Sequence, residues 1–410
     1  MIMLFEYLQT LGLKVPIVFM NYSTRMMLAA LTSLLICILL GPKFIKKLYE
    51  MKVGQTIRTE ECPLLGELHH KKKDTPTMGG VLILTALIIS LFLWMDLRHP
   101  FTILLLITTL FLGFLGGIDD YLKLRYKNTK GLSGRKKLFG QVMLSSCIAL
   151  YLLVPSISES LHFGKWFDLP TIKIERTESV ISEANNATTV KIQKNIPFQD
   201  YINRLYIPFF KGSVISFSGF FSIITALLIV FVITGSSNAV NLTDGLDGLA
   251  AGCLIFASMC FALVAFVSNN ADIAFYLNIP YVEGSGEIAI YLSAFAGGCL
   301  GFLWYNGYPA QVFMGDVGSL SLGGILGLSA ILLKKELLLG IVGGIFVLEA
   351  LSVILQVTSY KLRNKKRIFL CSPLHHHFEY KGWPETKVVL RFWIVGFLLA
   401  LIGLASLKFQ

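Results

Sequence analysis

Long uncharged stretches, separated by short polar segments, dominate the pattern of apolar and polar positions along this chain. Each stretch approaches the ~20 residues that a helix needs to cross a bilayer. Within them Glu349 is the one charged residue. The ten stretches are Met26–Pro42, Met78–Met95, Phe101–Ile118, Leu138–Val154, Val214–Thr234, Leu249–Val267, Ile288–Tyr305, Val317–Leu333, Leu337–Val357 and Phe392–Leu407. The pattern predicts an all-α membrane protein with ten transmembrane helices, in which residues 1–410 form a single integral membrane domain.

The composition supports this fold class. Apolar residues make up 54% of the chain and charged residues 15%, whereas a soluble domain has about 25% charged residues. Soluble multidomain, disordered and disulfide-scaffold proteins are therefore excluded. The net charge of +11 suits a partner that is an anionic lipid or an anionic substrate. Because no motif supports nucleic acid binding, we expect no nucleic acid partner.

The distribution of basic residues predicts the orientation. Ten spans place both termini on one side and divide the loops into two sets, one of which holds 23 of the 36 Lys and Arg residues. That set comprises 43–77, 119–137, 235–248, 306–316 and 358–391. The positive-inside rule assigns it to the cytoplasm, so we expect both termini outside. In the long periplasmic loop 155–213, alternating β-branched residues around Asn185-Asn186 predict a small exposed hairpin.

The first candidate for chemistry is the pair Asp119-Asp120, which ends the third span. Adjacent carboxylates repel each other and gain from a cation, either Mg²⁺ or the basic stretch from Lys123 to Lys137. The alternative is a solvated helix C-terminus. That alternative is weakened because two negative charges at this end oppose the helix dipole.

A second cluster, Asn241-Leu-Thr-Asp244-Gly-Leu-Asp247-Gly, precedes the sixth span. Asp244 and Asp247 are three residues apart and share one helical face, and Asn238 and Asn241 repeat that spacing. Amides and carboxylates on one stripe suit sugar hydroxyls, a metal or a nucleotide. The alternative is helix capping, for which one such residue is enough.

A third cluster joins the seventh and eighth spans, where Trp304-Tyr-Asn306 ends one and Phe313-Met-Gly315-Asp316-Val-Gly-Ser319 opens the next. Asp316 lies where a helix N-terminus meets glycine-rich backbone. Such a position suits a phosphate group and its Mg²⁺. An ordinary helix cap is the alternative.

Two basic segments complete the candidates. His375–His377, followed by Glu379, could bind zinc, but because no cysteine partner pairs with them we favour hydrogen bonding and phosphate neutralisation. Lys71–Lys73, before Gly79-Gly80, would hold either anionic lipid or a nucleotide diphosphate. All five clusters fall in the loop set assigned to the cytoplasm. This coincidence predicts a site between a soluble anionic substrate and a lipid.

A transporter would more often place its polar groups near the bilayer midplane. Only Glu349 and Gln356, seven residues apart in the ninth span, fit that description. We interpret them as support for the cytoplasmic cleft.

The four motifs around Asp119, Asp244, Asp316 and His375 resemble those of the polyprenyl-phosphate N-acetylhexosamine-1-phosphate transferases. Within that superfamily, Thr75-Pro-Thr-Met-Gly-Gly80 and Pro373-Leu-His-His-His-Phe-Glu379 resemble the bacterial phospho-N-acetylmuramoyl-pentapeptide transferases (translocase I). The resemblance runs from about Gly41 to the C-terminus. It implies Mg²⁺ dependence, a homodimer and a place in the bacterial inner membrane. The implied reaction transfers phospho-MurNAc-pentapeptide from UDP-MurNAc-pentapeptide to undecaprenyl phosphate, giving lipid I and UMP.

The resemblance also implies residue roles. Asp316 would ligate the metal, Asp119 and Asp120 would act on the lipid phosphate and the metal, and His375 would join them as a catalytic residue. The remaining implied substrate-binding residues are Lys72, Thr77, Asn241, Leu242, Asp244, Asp247, Asn306, Phe313, Gly315, Gln356, His376 and His377. The rivals are a UDP-GlcNAc transferase of the same superfamily and a transporter or lipid flippase.

Overall fold

The computed structural model is mostly helical and describes residues 10–12, 16–51, 75–126, 131–163, 166–167, 170–181, 187–210 and 213–408. Short connections link most of its helices. The α-helices are α1 Tyr22–Glu50, α2 Gly80–Trp94, α3 Pro100–Arg125, α4 Gly134–Leu153, α5 Pro155–Ser160, α6 Phe198–Ile202, α7 Ser222–Thr243, α8 Leu249–Ser268, α9 Ala271–Tyr276, α10 Ser285–Asn306, α11 Gly315–Leu332, α12 Glu336–Val342, α13 Gly344–Leu362, α14 Leu374–Tyr380 and α15 Glu385–Ser406.

Nine helices of the described residues are long and apolar enough to cross a membrane: α1, α3, α4, α7, α8, α10, α11, α13 and α15. Helix α2 is also apolar but has 15 residues, a length that spans a bilayer only where the bilayer is thin. The prediction of an all-α membrane protein is therefore confirmed. The count of ten spans stays a prediction.

Several predicted boundaries differ from the structure. The fifth predicted span, Val214–Thr234, begins too early and ends too early, because Ser213–Ser216 form a strand and α7 runs from Ser222 to Thr243. Helix α1 continues through Pro42 to Glu50, and α15 begins at Glu385 rather than at Phe392. Polar residues extend both helices beyond the apolar window because their long side chains reach water from a helix end. The predicted ninth span is broken at Gly343 into α12 and α13. The glycine pair Gly343-Gly344 explains the break, since glycine is a common site of helix interruption.

Helices α8, α10 and α11 form the centre of the bundle. In their most apolar stretches, 78% of the α10 residues and 94% of the α11 residues are buried, whereas 22% are buried in that of α7, which presents apolar side chains outward. Helices α1 and α10 touch along their backbones, because a Cβ at Gly297 would lie 2.1 Å from the Ala30 carbonyl oxygen. A rigid centre of this kind fixes the ends of its helices relative to one another.

At one end of the bundle the chain forms short strands. β1 (Ile172–Ile181) and β2 (Ala187–Ile196) pair antiparallel, and β5 (Tyr281–Val282) joins the edge of β1. A second small sheet pairs β3 (Arg204–Tyr206) with β4 (Ser213–Ser216). The predicted hairpin in the 155–213 loop is thus confirmed, although its turn around Asn185-Asn186 lies outside the described residues.

Buried charges brace this same end. Arg25 on α1 donates to Glu287 on α10 over 2.6 Å and to the Trp94 carbonyl oxygen over 2.7 Å. The Asp96 backbone N–H completes the pairing of Glu287 over 3.1 Å. After α11, Lys335 lies over the Tyr206 ring, 5.7 Å from its centroid. At the end away from the acidic motifs, the Arg25 and Glu287 contacts join α1, α2 and α10, and Lys335 joins the segment after α11 to β3.

Candidate active site

Three buried carboxylates meet at the opposite end of the bundle. Asp119 and Asp120 lie in the last turns of α3, and Asp316 lies in the first turn of α11. One oxygen from each lies within 4.8 Å of the others. The helices meet closely here, because a Cβ at Gly116, one turn before the pair, would lie 2.2 Å from the Asp316 carbonyl oxygen. Residues that are 197 positions apart in the chain therefore share one site.

Gly315 fixes the geometry of Asp120. Its φ is 72°, in the left-handed region that favours glycine. A Cβ there would lie 2.6 Å from Asp120 Oδ2 and 2.8 Å from Thr77 Oγ1. The same Asp120 oxygen accepts a hydrogen bond from the Val317 N–H over 3.2 Å. The carboxylate thus sits at the N-terminus of α11, where free N–H groups favour negative charge.

The segment before α2 runs alongside the start of α11. Phe313 N–H donates to the Pro76 carbonyl oxygen over 2.8 Å, and Gly79 N–H donates to the Phe313 carbonyl oxygen over 2.7 Å. These bonds place Thr77 beside Gly315. The neighbouring lysines, including Lys72, lie outside the described residues.

Asn241 orients the third carboxylate. Its side-chain Nδ2 donates to Asp316 Oδ1 over 2.9 Å and to the Ser319 hydroxyl over 2.8 Å. Both donor protons are therefore used within the site. Asn238, one turn earlier, instead donates to Gln141 Oε1 on α4, so the two amides do not act together. The sequence placed Ser319 in the third cluster but gave it no role.

Asp244 lies next to this carboxylate group, directly after the end of α7, whereas Asp247 lies in the turn before α8. The prediction that the two aspartates share one helical face is therefore wrong, because residues 244–248 form a turn between two helices. Part of Asp244 reaches the surface, but burial of its carboxyl group, together with the Asp316 and Asp120 carboxylates, raises its pKa to about 7. Several carboxylates that raise one another's pKa values in a small volume are typical of a functional site and favour binding of a cation.

Asp247 and Asn306 form hydrogen bonds between the loop after α7 and the loop after α10. Asp247 Oδ2 accepts the Ala310 N–H over 3.0 Å, and the Asp247 N–H donates to Glu385 Oε1 over 2.8 Å. Asn306 accepts the Gly248 N–H and donates to the Val312 carbonyl oxygen. These side chains hold the 244–248 and 306–316 segments against each other.

The histidine segment forms α14 and packs onto the Asp244 turn. A Cβ at Gly245 would lie 2.3 Å from His375 Nε2, so the imidazole rests on this glycine. Glu349, fully buried on α13, accepts the His375 N–H over 3.1 Å, and its other oxygen lies 3.1 Å from His375 Nδ1. The interpretation of Glu349 as support for the cleft agrees with these contacts.

The other two histidines also have partners. His376 Nδ1 lies 2.7 Å from Glu379 Oε2. His377 Nδ1 accepts the Leu370 N–H over 3.1 Å. Burial and the Lys381 ammonium group lower the pKa of His377, which keeps the ring neutral and able to accept.

Gln356 holds the chain before α14. Its side-chain oxygen accepts the N–H groups of Ile368 and Phe369, and its nitrogen donates to the Phe369 carbonyl oxygen. All these contacts are to the protein backbone. Leu242 and Phe313 are half-buried at the same end of the bundle.

Two lysines enter the carboxylate group, and sequence reasoning selected neither as a site residue. Lys123 Nζ lies 2.5 Å from Asp119 Oδ2 and 3.1 Å from Asp316 Oδ2. Lys137 Nζ lies 2.6 Å from Asp316 Oδ2 and 3.2 Å from Asp119 Oδ2. The sequence left Mg²⁺ and this basic stretch as alternative partners of the aspartates. The structure shows the lysines in contact with them.

Comparison with known proteins places this arrangement in a family. A family model described as glycosyl transferase family 4 matches residues 102–334, and one described as phospho-N-acetylmuramoyl-pentapeptide-transferase signature 1 matches residues 72–84. Similar proteins carry the name phospho-N-acetylmuramoyl-pentapeptide-transferase. The protein of Protochlamydia amoebophila is 64% identical over 99% of this chain and 98% of its own length, and that of Thermodesulfovibrio yellowstonii is 45% identical over the full length of both.

Identity of this extent, across nearly the whole chain, shows common descent. The resemblance inferred from the motifs is confirmed. The chain therefore belongs to the phospho-N-acetylmuramoyl-pentapeptide transferase family and is a phosphoglycosyl transferase.

Proposed function

We propose that the enzyme transfers phospho-MurNAc-pentapeptide from UDP-MurNAc-pentapeptide to undecaprenyl phosphate, giving lipid I and UMP. The observation that carries this proposal is the meeting of Asp119, Asp120 and Asp316 at one end of an apolar helix bundle. A site at that position reaches a soluble nucleotide sugar from one side and a lipid phosphate from the other. The names of the relatives support the identity of the sugar.

The donor set fits Mg²⁺, which prefers oxygen ligands and is commonly bound by one or two carboxylates together with substrate phosphates. Asp316 would be the principal ligand, because Asn241 fixes its other oxygen. Asp119 and Asp120 lie close enough to share the ion. A bound Mg²⁺ would withdraw charge from the diphosphate and stabilise the leaving UMP.

The remaining residues would bind and orient the substrates. Lys72, Leu242, Asp247, Phe313 and Gly315 would line the uridine pocket, and Thr77, Asn241, Asp244, Asn306 and His375 would surround the diphosphate. His376, His377 and Gln356 would complete the cleft. The contacts of Asn306, Asp247 and Gln356 with the protein support an orienting role, because their side chains hold the loops that form the cleft.

For the chemical step we propose direct attack of the lipid phosphate on the β-phosphorus of the nucleotide sugar. Phosphoryl transfer depends chiefly on positioning and charge neutralisation. Asp119 would orient the lipid phosphate or accept its last proton. Little base assistance is needed, because such a proton has a pKa of about 6. The alternative is a carboxylate nucleophile and a covalent phospho-enzyme.

The same proposal includes the setting of the enzyme. Ten helices, with α2 as the tenth, would cross the bacterial inner membrane, leaving both termini outside and the active site facing the cytoplasm. The Lys and Arg distribution supports this orientation. A homodimer is the expected assembly.

Release of UMP by the purified protein tests the function. We expect UMP only when UDP-MurNAc-pentapeptide, undecaprenyl phosphate and Mg²⁺ are all present. The Asp316→Asn variant should be inactive, whereas Asp272→Asn, an exposed aspartate on α9 at the other end, should retain full activity. Turnover of UDP-GlcNAc alone would assign the chain to another branch of the superfamily. Lipid or solute transport without UMP release would instead indicate a transporter.

A single-turnover experiment separates the two chemical routes. Enzyme in excess over labelled UDP-MurNAc-pentapeptide, without undecaprenyl phosphate, should form no protein-bound label, and Asp119→Asn should behave in the same way. A labelled adduct on the wild-type protein that passes its sugar phosphate to lipid at a competent rate would overturn direct attack.

A further inference from the structure

The ammonium groups of Lys123 and Lys137 bridge two of the three carboxylates that could hold a cation, Asp119 and Asp316. Each Nζ lies within 3.2 Å of both Asp119 Oδ2 and Asp316 Oδ2. Lys123 comes from α3, one turn after Asp119, and Lys137 comes from the first turns of α4. Two helices thus deliver positive charge to the same pair of oxygens.

The lysine side chains are more exposed and more mobile than the carboxylates that they contact. The side chain of Asp119 is fully buried and that of Asp316 is 12% exposed, whereas those of Lys123 and Lys137 are 28% and 18% exposed. The carboxylates are also held by the backbone and by Asn241. A lysine ammonium group on a flexible four-carbon stem can leave these oxygens while the carboxylates stay in place.

A divalent cation and these ammonium groups require the same oxygens. Mg²⁺ binds oxygen at about 2.0–2.1 Å. An ammonium group 2.6 Å from Asp316 Oδ2 would therefore share that oxygen with the ion and be repelled by it, because both carry positive charge. Phosphate oxygens are strong partners for a displaced ammonium group, because charge-assisted hydrogen bonds are about twice as strong as neutral ones.

We propose that Lys123 and Lys137 are exchangeable counter-charges: they neutralise Asp119 and Asp316 before the cation binds and then move to a substrate phosphate. This inference rests on the divalent cation of the proposed function. It makes cation and phosphate binding cooperative, because each cation that enters frees the groups that bind phosphate. By linkage, the phosphate raises the affinity for the cation by the same factor.

Binding of Mn²⁺ to the purified protein, followed by electron paramagnetic resonance, tests the exchange without turnover. In the absence of phosphate, Lys137→Met should bind Mn²⁺ about tenfold more tightly than wild type, within the usual range of coupling between sites. Farnesyl monophosphate and UMP, added separately as probes, should raise the Mn²⁺ affinity of wild type, and the gain should shrink in Lys137→Met. The probe that gives the larger effect identifies which phosphate the lysines bind.

The matched control is Lys136→Met, the exposed neighbour of Lys137, which should bind Mn²⁺ as wild type does. Lys123→Met provides the same test if Lys137→Met does not fold. Unchanged or weaker Mn²⁺ binding by the folded lysine variants would overturn the exchange, provided that Asp316→Asn abolishes binding. Failure of wild type and lysine variants alike to bind Mn²⁺ would instead overturn the cation of the proposed function.

Discussion

Replacing Gly315 with alanine should disable the enzyme while leaving it folded. A side chain at φ 72° costs about 1–2 kcal/mol of unfolding free energy. The larger effect is local. An ordinary contact begins at 3.4 Å, and the new Cβ would lie 2.6 Å from Asp120 Oδ2, so the two atoms must separate by about 0.8 Å. Misplacing a reacting group by about 1 Å can cost roughly 100-fold in rate. We therefore expect kcat to fall about 100-fold.

The assay is UMP release at saturating substrates, with thermal unfolding in detergent as the measure of folding. Gly134→Ala is the matched control. This glycine begins α4, and a Cβ there would meet no atom within 4 Å. That variant should keep wild-type turnover and gain slightly in stability, because alanine favours helix. Turnover of Gly315→Ala within threefold of wild type would refute the claim that this close approach positions Asp120.

Three further substitutions test other parts of the structure. Arg25→Met leaves the buried Glu287 carboxylate without its ion pair and should cost about 3–5 kcal/mol; an unchanged melting temperature would contradict this. Burial lowers the pKa of Lys335 to about 8 despite the nearby Glu336 carboxylate. Between about pH 8 and pH 10 the folded state therefore loses the Lys335 proton while the unfolded state keeps it. At pH 7 the buried charge should make wild type less stable than Lys335→Met, by at most about 3 kcal/mol of unfolding free energy. The difference in melting temperature between the two proteins should narrow towards pH 10, and a constant difference would refute the lowered pKa of Lys335. Glu349→Gln keeps an acceptor for the His375 N–H but loses the charge beside the ring. Turnover should fall roughly 10- to 100-fold, and full activity would rule out an orienting role.

Much of this architecture could be predicted because hydrophobic spans and polar clusters are properties of local sequence. The carboxylates of Asp119 and Asp316 were assigned to one membrane face by counting basic residues, and the structure brings them together. Helix ends were less predictable. Nothing in hydropathy marks the interruption at Gly343, because the residues on either side are equally apolar. The break follows the glycine pair Gly343-Gly344, a feature of residue type that hydropathy does not record.

Partners contributed by another helix could not be identified from the sequence. Lys123 is one turn from Asp119 and was recognisable as a local counter-charge, but its contact with Asp316 depends on the packing of α3 against α11. Lys137 was one of several cations in the stretch. The position of α4 determines that Lys137, rather than a neighbouring cation, contacts Asp119 and Asp316. The hydrogen bond from the Asp247 N–H to Glu385 could not be predicted either. It depends on α15 beginning at Glu385, seven residues before the apolar stretch that the sequence predicted from Phe392.

The distance between the carboxylates is set by glycine contacts rather than by the acidic residues themselves. Gly116 lets α3 touch the backbone of Asp316, and a Cβ at Gly80 would lie 2.2 Å from the Gly318 nitrogen, so α2 packs equally closely against α11. Three helices therefore meet at the first turn of α11 with little room for movement. Because that turn carries Asp316 and its Val317 N–H donates to Asp120, a shift of either neighbouring helix would change the spacing of the cation ligands. The close packing at this end of the bundle accordingly provides the preorganised charge on which phosphoryl transfer depends.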